Sequence, residues 1–282
     1  MVFEDQQKKD EIDILVEMGQ AEKSKEEDEA LKQKAVTYVS FEELEDFKDD
    51  HLFNTNFDQF IKQDMQDRIN DPEEWHAQFE GLDHLRKMSK FHKAKMVEWS
   101  AYFAPFLKAS VDNLRSGISK DALMFTTEFL KDKGETTTES LVEFIKVVGP
   151  SILHKTVYEK AFISKEAKTS MMHAIATAPC SELLAFLLSD GCRCKNNNKS
   201  LMENSYTYVG EFFKQVGTSF VEPLASSEES DRKTLLLEVV RQLQVGIDSM
   251  PKIKKAATEA LKLFKAKMDE SKAIPFDKIL HQ

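Results

Sequence analysis

The three cysteines of this chain are the residues whose chemistry could hold a metal ion or attack a substrate. Cys192 and Cys194 are separated by one residue, Cys180 is the only other thiol, and His173 is the imidazole nearest to it in sequence. Structural zinc sites use four ligands, commonly arranged as two closely spaced pairs. Because these residues lack that spacing, we interpret them as parts of ordinary loops and helices and expect no metal site.

Sequence motifs of catalysis are also missing. The chain contains no P-loop, no dinucleotide-binding glycine fingerprint, no nucleophile elbow and no zinc-protease helix motif. Asn198-Lys199-Ser200 matches a glycosylation acceptor, but residues 1–10 are polar and charged, unlike a secretion signal. We therefore expect neither an enzyme nor a bound cofactor, and the unpaired cysteine count favours a reducing, cytoplasmic compartment.

The charges exclude other classes of partner. There are 49 acidic and 39 basic residues, so the formal net charge is −10, which argues against nucleic acid and against an anionic membrane surface. No window approaches the length of apolar sequence that a transmembrane helix needs. The acidic residues crowd the first 74 positions, whereas Arg and Lys recur in polar joints further along the chain.

Four such joints, of similar composition, each precede a helix rich in small residues. They begin at Asn113, Lys160, Cys192 and Ser249, and each contains Arg or Lys. If Ser116, Ser164, Asn198 and Pro251 begin the helices, the separations are 48, 34 and 53 residues. Such spacing is compatible with two-helix repeats of about 40 to 47 residues. An irregular helical bundle remains the alternative.

The segments between the joints also have helical periodicity. The 41% hydrophobic content indicates a folded chain, and only 9 Gly and 7 Pro favour an all-α fold. Residues 73–131 predict two amphipathic helices and a third that follows the Asn113 joint. Further helices are predicted at 53–69, 140–148 (ended by Gly149-Pro150), 151–160, 181–188, 206–216 and 233–247, with loops at 134–138 and 225–230.

The first 55 residues differ from the rest. They are strongly acidic and have two small apolar clusters, at 12–16 and 36–47, with Ser40 and Glu43 in the pattern of a helix-capping box. Two interpretations stay open: a flexible acidic tail, which we favour, and an arm that docks its apolar clusters on a partner. We predict an arm at 1–55, partly extended or disordered, a helical domain at 56–270 and a tail at 271–282.

One stretch resembles a known family. Trp75 at the head of the first helix, Leu85-Arg86, Asn113-Leu114-Arg115-Ser116 and then Ser119-Lys120-Asp121-Ala122-Leu123 resemble the opening of a TOG domain of the CLASP and crescerin type, the TOG array regulators. The likeness covers 73–131 best and continues, weaker but collinear, to Lys267. It implies an α-solenoid, a paddle of paired HEAT-repeat helices whose interhelical loops contact tubulin along one edge.

The resemblance also implies site residues. Trp75 corresponds to the aromatic residue of the first loop, and Arg115, followed by Ser116, to the basic residue of the second. The third to fifth loops would contribute Lys160, Lys165, Arg193, Lys195, Lys252, Lys254 and Lys255. The loop of Arg193 departs from the family pattern because it is longer and more polar. The alternative is structural: Trp75 packs on Phe79, and the cations are merely solvated.

The resulting hypothesis is a protein that binds tubulin or the microtubule lattice through a basic edge with one exposed aromatic residue. It would be cytoplasmic, on the cytoskeleton and in the cilium or axoneme, where other ciliary proteins are possible partners. The alternative is a HEAT-type scaffold that binds non-tubulin partners through its N-terminal arm and its helical faces.

Overall fold

The computed structural model describes residues 38–47, 75–131, 139–225 and 230–272. Every regular element in these ranges is helical, which confirms the all-α prediction. The chain divides into two compact units, Met1–Val39 and Ser40–Gln282, and all the described helices belong to the second. The α-helices are α1 (Trp75–Phe91), α2 (Lys93–Asp112), α3 (Ser116–Lys131), α4 (Glu139–Lys155), α5 (Ala161–Thr177), α6 (Ser181–Phe186), α7 (Lys199–Gln215), α8 (Asp231–Ile247) and α9 (Pro251–Ser271).

The described helices lie in two rows. Odd-numbered helices contact each other in succession from α1 to α9, and even-numbered helices do the same. Across the rows, contacts join α1 with α2, α2 with α3, α4 with α5 and α8 with α9. Hydrogen bonds made by side chains show that neighbouring odd helices run parallel, because they join equivalent ends of the helices. Asn113, just before α3, donates to Gln78 near the start of α1 at 3.1 Å, and Thr177 at the end of α5 donates to the Leu130 carbonyl near the end of α3.

The even row shows the same register. Ser151 near the end of α4 donates to the Asp112 carboxylate at the end of α2 at 2.9 Å. Because both rows are parallel internally, each turn from an even helix to the next odd helix falls at the same end of the helices. The turns after α2, α4, the π-helical segment Leu187–Cys192 and α8 are the four basic joints.

Aromatic rings hold the rows together. Phe103 of α2 makes edge-to-face contacts with Phe125 and Phe129 of α3 and with Phe144 of α4, at centroid distances of 5.7 to 5.8 Å. All four rings are buried. Each such pair contributes about 0.5 to 1.5 kcal/mol beyond the area that it removes from water. This cluster therefore fixes the relative positions of α2, α3 and α4 through packing of their side chains, independently of the loops that connect them.

The predicted helix stop at Gly149-Pro150 is wrong. Helix α4 continues through both residues to Lys155, so no separate helix covers 151–160. A proline inside a helix removes one backbone hydrogen bond. Gly149 has a different role: a Cβ at this position would lie 2.5 Å from Cζ of Phe186, which is buried in α6. The glycine is thus a site of close packing between α4 and α6.

Other boundaries were partly predicted. Asn198 and Pro251 are confirmed as the starts of their helices: the Asn198 side chain accepts from Leu201 N–H at 3.1 Å, and Pro251 is the first residue of α9. The helix predicted at 206–216 is wrong as a separate element because it is the second half of α7. Helix α5 begins at Ala161, three residues before the predicted start. The helix predicted at 53–69, the loop at 134–138 and most of the loop at 225–230 lie outside the described residues.

Residues 40–47 form a short segment packed on α1. Lys90 Nζ donates to the carbonyl oxygens of Glu42 and Leu44, at 2.7 Å each, and Leu44 is buried. Ser40 Oγ donates to the Glu43 carboxylate at 2.8 Å, but residues 41–43 form only a turn, so the helix predicted from this pair is wrong. Part of the second apolar cluster is therefore already covered by the chain itself.

A buried arginine links α1 to α3. Arg86 donates from Nε and Nη2 to the two oxygens of Glu128, at 2.8 and 2.7 Å, and its Nη1 lies 3.5 Å from Asp121 Oδ1. Both Asp121 oxygens are buried without a hydrogen-bond partner. The pKa of Asp121 is raised to about 8, chiefly by burial and also by the neighbouring carboxylates Asp83 and Glu128, against the attraction of Arg86.

We predict that Asp121 makes the protein less stable as the pH rises. Its pKa is about 8 in the folded chain, against an ordinary value of 3.8, so the folded state binds an extra proton between these values. The free energy of unfolding should then fall from about pH 4 to pH 8, by at least about 1 kcal/mol. Urea denaturation across this range should show the slope, and Asp121→Asn should flatten it. Equal slopes in the two proteins would contradict the assignment.

The contact between Gly149 and Phe186 predicts the sign of a second substitution. Helix propensity alone favours Ala over Gly by about 1 kcal/mol. Overpacking against a buried ring costs about 1 to 3 kcal/mol, so we expect Gly149→Ala to lower the free energy of unfolding. Gly217→Ala is the control because its Cβ would meet only Ser219 Oγ, at 3.7 Å. A Gly149→Ala variant as stable as the wild type would show that the ring is free to move.

Candidate functional site

The four joints and the helix starts that follow them form one surface, which we call the joint edge. It comprises residues 113–115, 156–160, 193–198 and 248–250, together with the first turns of α3, α5, α7 and α9. All the cations proposed from the sequence lie on it or, for Lys165 and Lys255, one residue beyond the first turn. Arg115, Lys160, Lys165, Arg193, Lys195, Lys252, Lys254 and Lys255 are exposed, and Ser116 is half-buried at the start of α3.

Most cations of the joint edge form no ion pair with a described carboxylate. This holds for Lys160, Lys165, Lys195, Lys252, Lys254 and Lys255 within the four described ranges. Lysines within the helices behave differently. Lys95, Lys108, Lys146 and Lys262 each pair with a carboxylate three or four residues away, at 2.9 to 3.4 Å. The joint edge therefore keeps its positive charge available, whereas these four helical lysines are neutralised by carboxylates of their own helices. Not every helical lysine is paired in this way: Lys131 and Lys168 are exposed and form no ion pair with a described carboxylate.

Trp75 and Arg115 contact each other, although 40 residues separate them. The Arg115 guanidinium carbon lies 5.6 Å from the centroid of the Trp75 ring, within the range of a cation–π interaction. The Arg115 N–H also donates to Asn113 Oδ1 at 2.8 Å, which fixes the turn before α3. The fold thus brings together the two residues that the sequence resemblance singled out in the first and second loops.

Trp75, expected to be the exposed aromatic residue of the edge, is only partly exposed. Its indole is half-buried, packs against the hydrophobic core and lies over His76 with a centroid distance of 3.5 Å. Trp75 begins α1, so its ring covers the end of that helix, and Arg115 covers the ring. The residue is therefore part of the support of the joint edge as well as part of its surface.

The third joint differs from the others. Arg193 lies 3.4 Å from Glu238 of α8, so its charge is partly neutralised within the chain. Asn197 has a positive φ of 50°, and Asn198 caps α7 with its side chain. These polar residues satisfy their own backbone. The longer and more polar sequence of this joint thus corresponds to a turn whose polar groups have partners within the chain.

Sequence reasoning missed the apolar side chains of the joint edge. Leu114 is 92% exposed, Phe162 is 48% exposed and Met250 is 46% exposed. Each lies in a basic joint or in the first turn after it, next to Arg115, Lys160 or Lys252. The sequence did contain a signal, an apolar residue inside an otherwise polar joint. The joint edge also has acidic members, Glu159 and Asp248, so it is a mixed surface with an excess of cations.

Other kinds of site find no support in the described ranges. No group of three His, Cys, Asp or Glu residues there is arranged to hold a metal ion. Burial raises the pKa of Cys180 to about 11 and that of Cys192 further, which keeps both thiols protonated near neutral pH. None of the described helices combines the length and apolar character needed to cross a bilayer. No protein-family model and no curated protein matches this chain.

The burial of Trp75 predicts a cost in stability that the sequence did not predict. We expect Trp75→Ala to lower the free energy of unfolding by about 1 to 3 kcal/mol. Truncating a fully buried aromatic residue to Ala costs about 3 to 5 kcal/mol, and the indole of Trp75 is only half-buried. Arg115→Ala should cost under about 1 kcal/mol. Urea denaturation of the single and double variants should give a coupling energy of about 0.5 to 1 kcal/mol. Purely additive effects would contradict the contact.

Proposed function

We propose that the joint edge binds an acidic protein surface and that this partner is tubulin, free or in the microtubule lattice. The observation that carries the proposal is the row of cations without intramolecular partners among the described carboxylates. Unpaired cations aligned on one edge raise the encounter rate with an acidic surface, and their desolvation does not first require breaking an internal ion pair.

The arrangement of helices supports the finer description of the fold as an α-solenoid of HEAT-like pairs. In stacked repeats each unit contacts only its neighbours, and equivalent loops recur along one edge. The contacts of α1 to α9 follow this pattern, with the pairs α2–α3, α4–α5 and α8–α9 joined by basic turns. The resemblance of 73–131 to a TOG domain then assigns the tubulin-binding role to this edge, and its crescerin character favours a cilium or axoneme.

The scaffold alternative has less support. It requires the acidic arm to dock its apolar clusters on a partner, yet Leu44 of the second cluster is buried against the chain itself. Residues 40–47 also belong to the same compact unit as the helices. A truncation that tests the arm should therefore end at residue 39, because removal of 40–47 would uncover α1.

We predict that reversing two charges of the joint edge abolishes most tubulin binding. Arg115→Glu with Lys254→Glu should weaken binding by at least about tenfold, since each reversal sets a carboxylate against an acidic surface and a loss of about 1.4 kcal/mol already corresponds to tenfold. The control is Lys131→Glu with Lys272→Glu. It changes the net charge equally, at exposed positions at the ends of α3 and α9, away from the joint edge. Binding is measured by microtubule co-sedimentation and by gel filtration with free tubulin, over a salt series.

The outcomes separate the two hypotheses. Equal binding by the edge variant and the control variant would rule out the joint edge as the tubulin site. No association of the wild-type protein in either assay at low salt would rule out tubulin as the partner. In that case partners recovered with the full chain, but lost on removal of residues 1–39, would support the scaffold.

A further inference from the structure

The joint edge has an apolar component that its charges do not explain. Phe162 is the second residue of α5, Met250 is the residue before α9, and Leu114 lies in the two-residue bend before α3. Exposed single apolar residues are common on protein surfaces. These three, however, lie in three different joints, and the two rows of parallel helices bring the joints to the same end.

Each apolar residue lies beside cations that lack a described carboxylate partner. Lys160 and Lys165 flank Phe162, and Lys252 and Lys254 follow Met250 in the first turn of α9. An exposed apolar side chain next to a cation is typical of an interface anchor. The charge orients the partner, and the apolar group supplies surface area that is buried on binding. The third joint, which has an internal ion pair at Arg193, has no exposed large apolar residue among its described residues.

We propose that Phe162, Met250 and Leu114 are the anchors of the joint edge and that each inserts into an apolar depression on the acidic partner surface. This inference rests on the proposed function and specifies the chemistry of the partner: carboxylates alternating with small apolar hollows, matched to the second, fourth and first joints. The third joint makes only a minor contribution.

The charges of the joint edge argue for this occupant over a second copy of the chain. A second joint edge would bring cations against cations, which opposes association. A partner with carboxylates around its hollows is attracted by the same residues that flank the anchors. None of the three side chains belongs to the buried hydrophobic core or to the partly buried residues packed against it.

The test compares two double variants of matched composition. Phe162→Ser with Met250→Ser removes one Phe and one Met from the joint edge. Phe91→Ser with Met172→Ser removes the same residue types, 39% and 40% exposed, from other parts of α1 and α5. Tubulin is the probe, in the co-sedimentation and gel-filtration assays described above. A third variant, Leu114→Ser, examines the most exposed anchor alone.

We expect the edge double variant to bind tubulin about tenfold more weakly, and the control to bind like the wild type. The dependence of affinity on salt should stay as in the wild-type protein, because no charge is removed, whereas the charge-reversal variant should lose part of it. Melting temperatures of both double variants that equal that of the wild-type protein show that folding is intact.

Two negative results are distinguishable. If wild-type protein binds tubulin and the charge-reversal variant does not, but the edge double variant binds within about twofold of the wild type, the anchors are overturned and the proposed function stands. If the wild-type protein does not bind tubulin at all, both are overturned.

Discussion

The position of α1 against α3 depends on one buried guanidinium. Arg86 is fully buried, pairs with both oxygens of Glu128 and has Asp83 and Asp121 close to Nη1. A charge removed from water is tolerated only with such partners, and loss of one partner from a buried pair typically costs about 3 to 5 kcal/mol. The interaction fixes the register of the two helices, and this register brings Trp75 to Arg115. One element of the family likeness, Leu85-Arg86, is thus a support of the fold and not a part of the joint edge.

The rest of the joint edge results from the same parallel packing, repeated between later odd helices. Thr127 of α3 donates to Glu166 of α5 at 2.7 Å, and Asn204 of α7 donates to Thr156 at 3.3 Å. From α1 to α7, each odd helix is therefore set against the next by side-chain hydrogen bonds as well as by apolar packing. A parallel row has all its N-terminal ends on one side. The joints and their cations are therefore brought to the same end of the row of helices.

Local signals predicted the elements whose causes are local. The starts of α7 and α9 follow from an Asn cap and an N-terminal proline, and the amphipathic stripes of α1 to α3 from their spacing. The failures have nonlocal causes. Gly149-Pro150 has the composition of a helix stop, yet the packing of Phe186 against α4 keeps the helix continuous. Trp75 is half-buried because it packs against the core and beneath Arg115, whose guanidinium lies 5.6 Å from the ring centroid although it precedes another helix. Neither pairing can be inferred from periodicity.

The acidic net charge of the chain does not oppose an acidic partner at the joint edge. Charges separated by more than about 8 Å are largely screened at physiological salt, so a docked surface senses the nearest residues and not the total of −10. Within the described helices, carboxylates such as Glu98, Glu143 and Glu259 have lysine partners on their own helix. Their fields are short-ranged dipoles. The unpaired lysines of the joints are single positive charges. At contact distance, the field of such a charge is stronger than the screened field of the more distant acidic residues. The charge that matters for binding is thus decided by which cations lack partners, a property of the fold that composition does not contain.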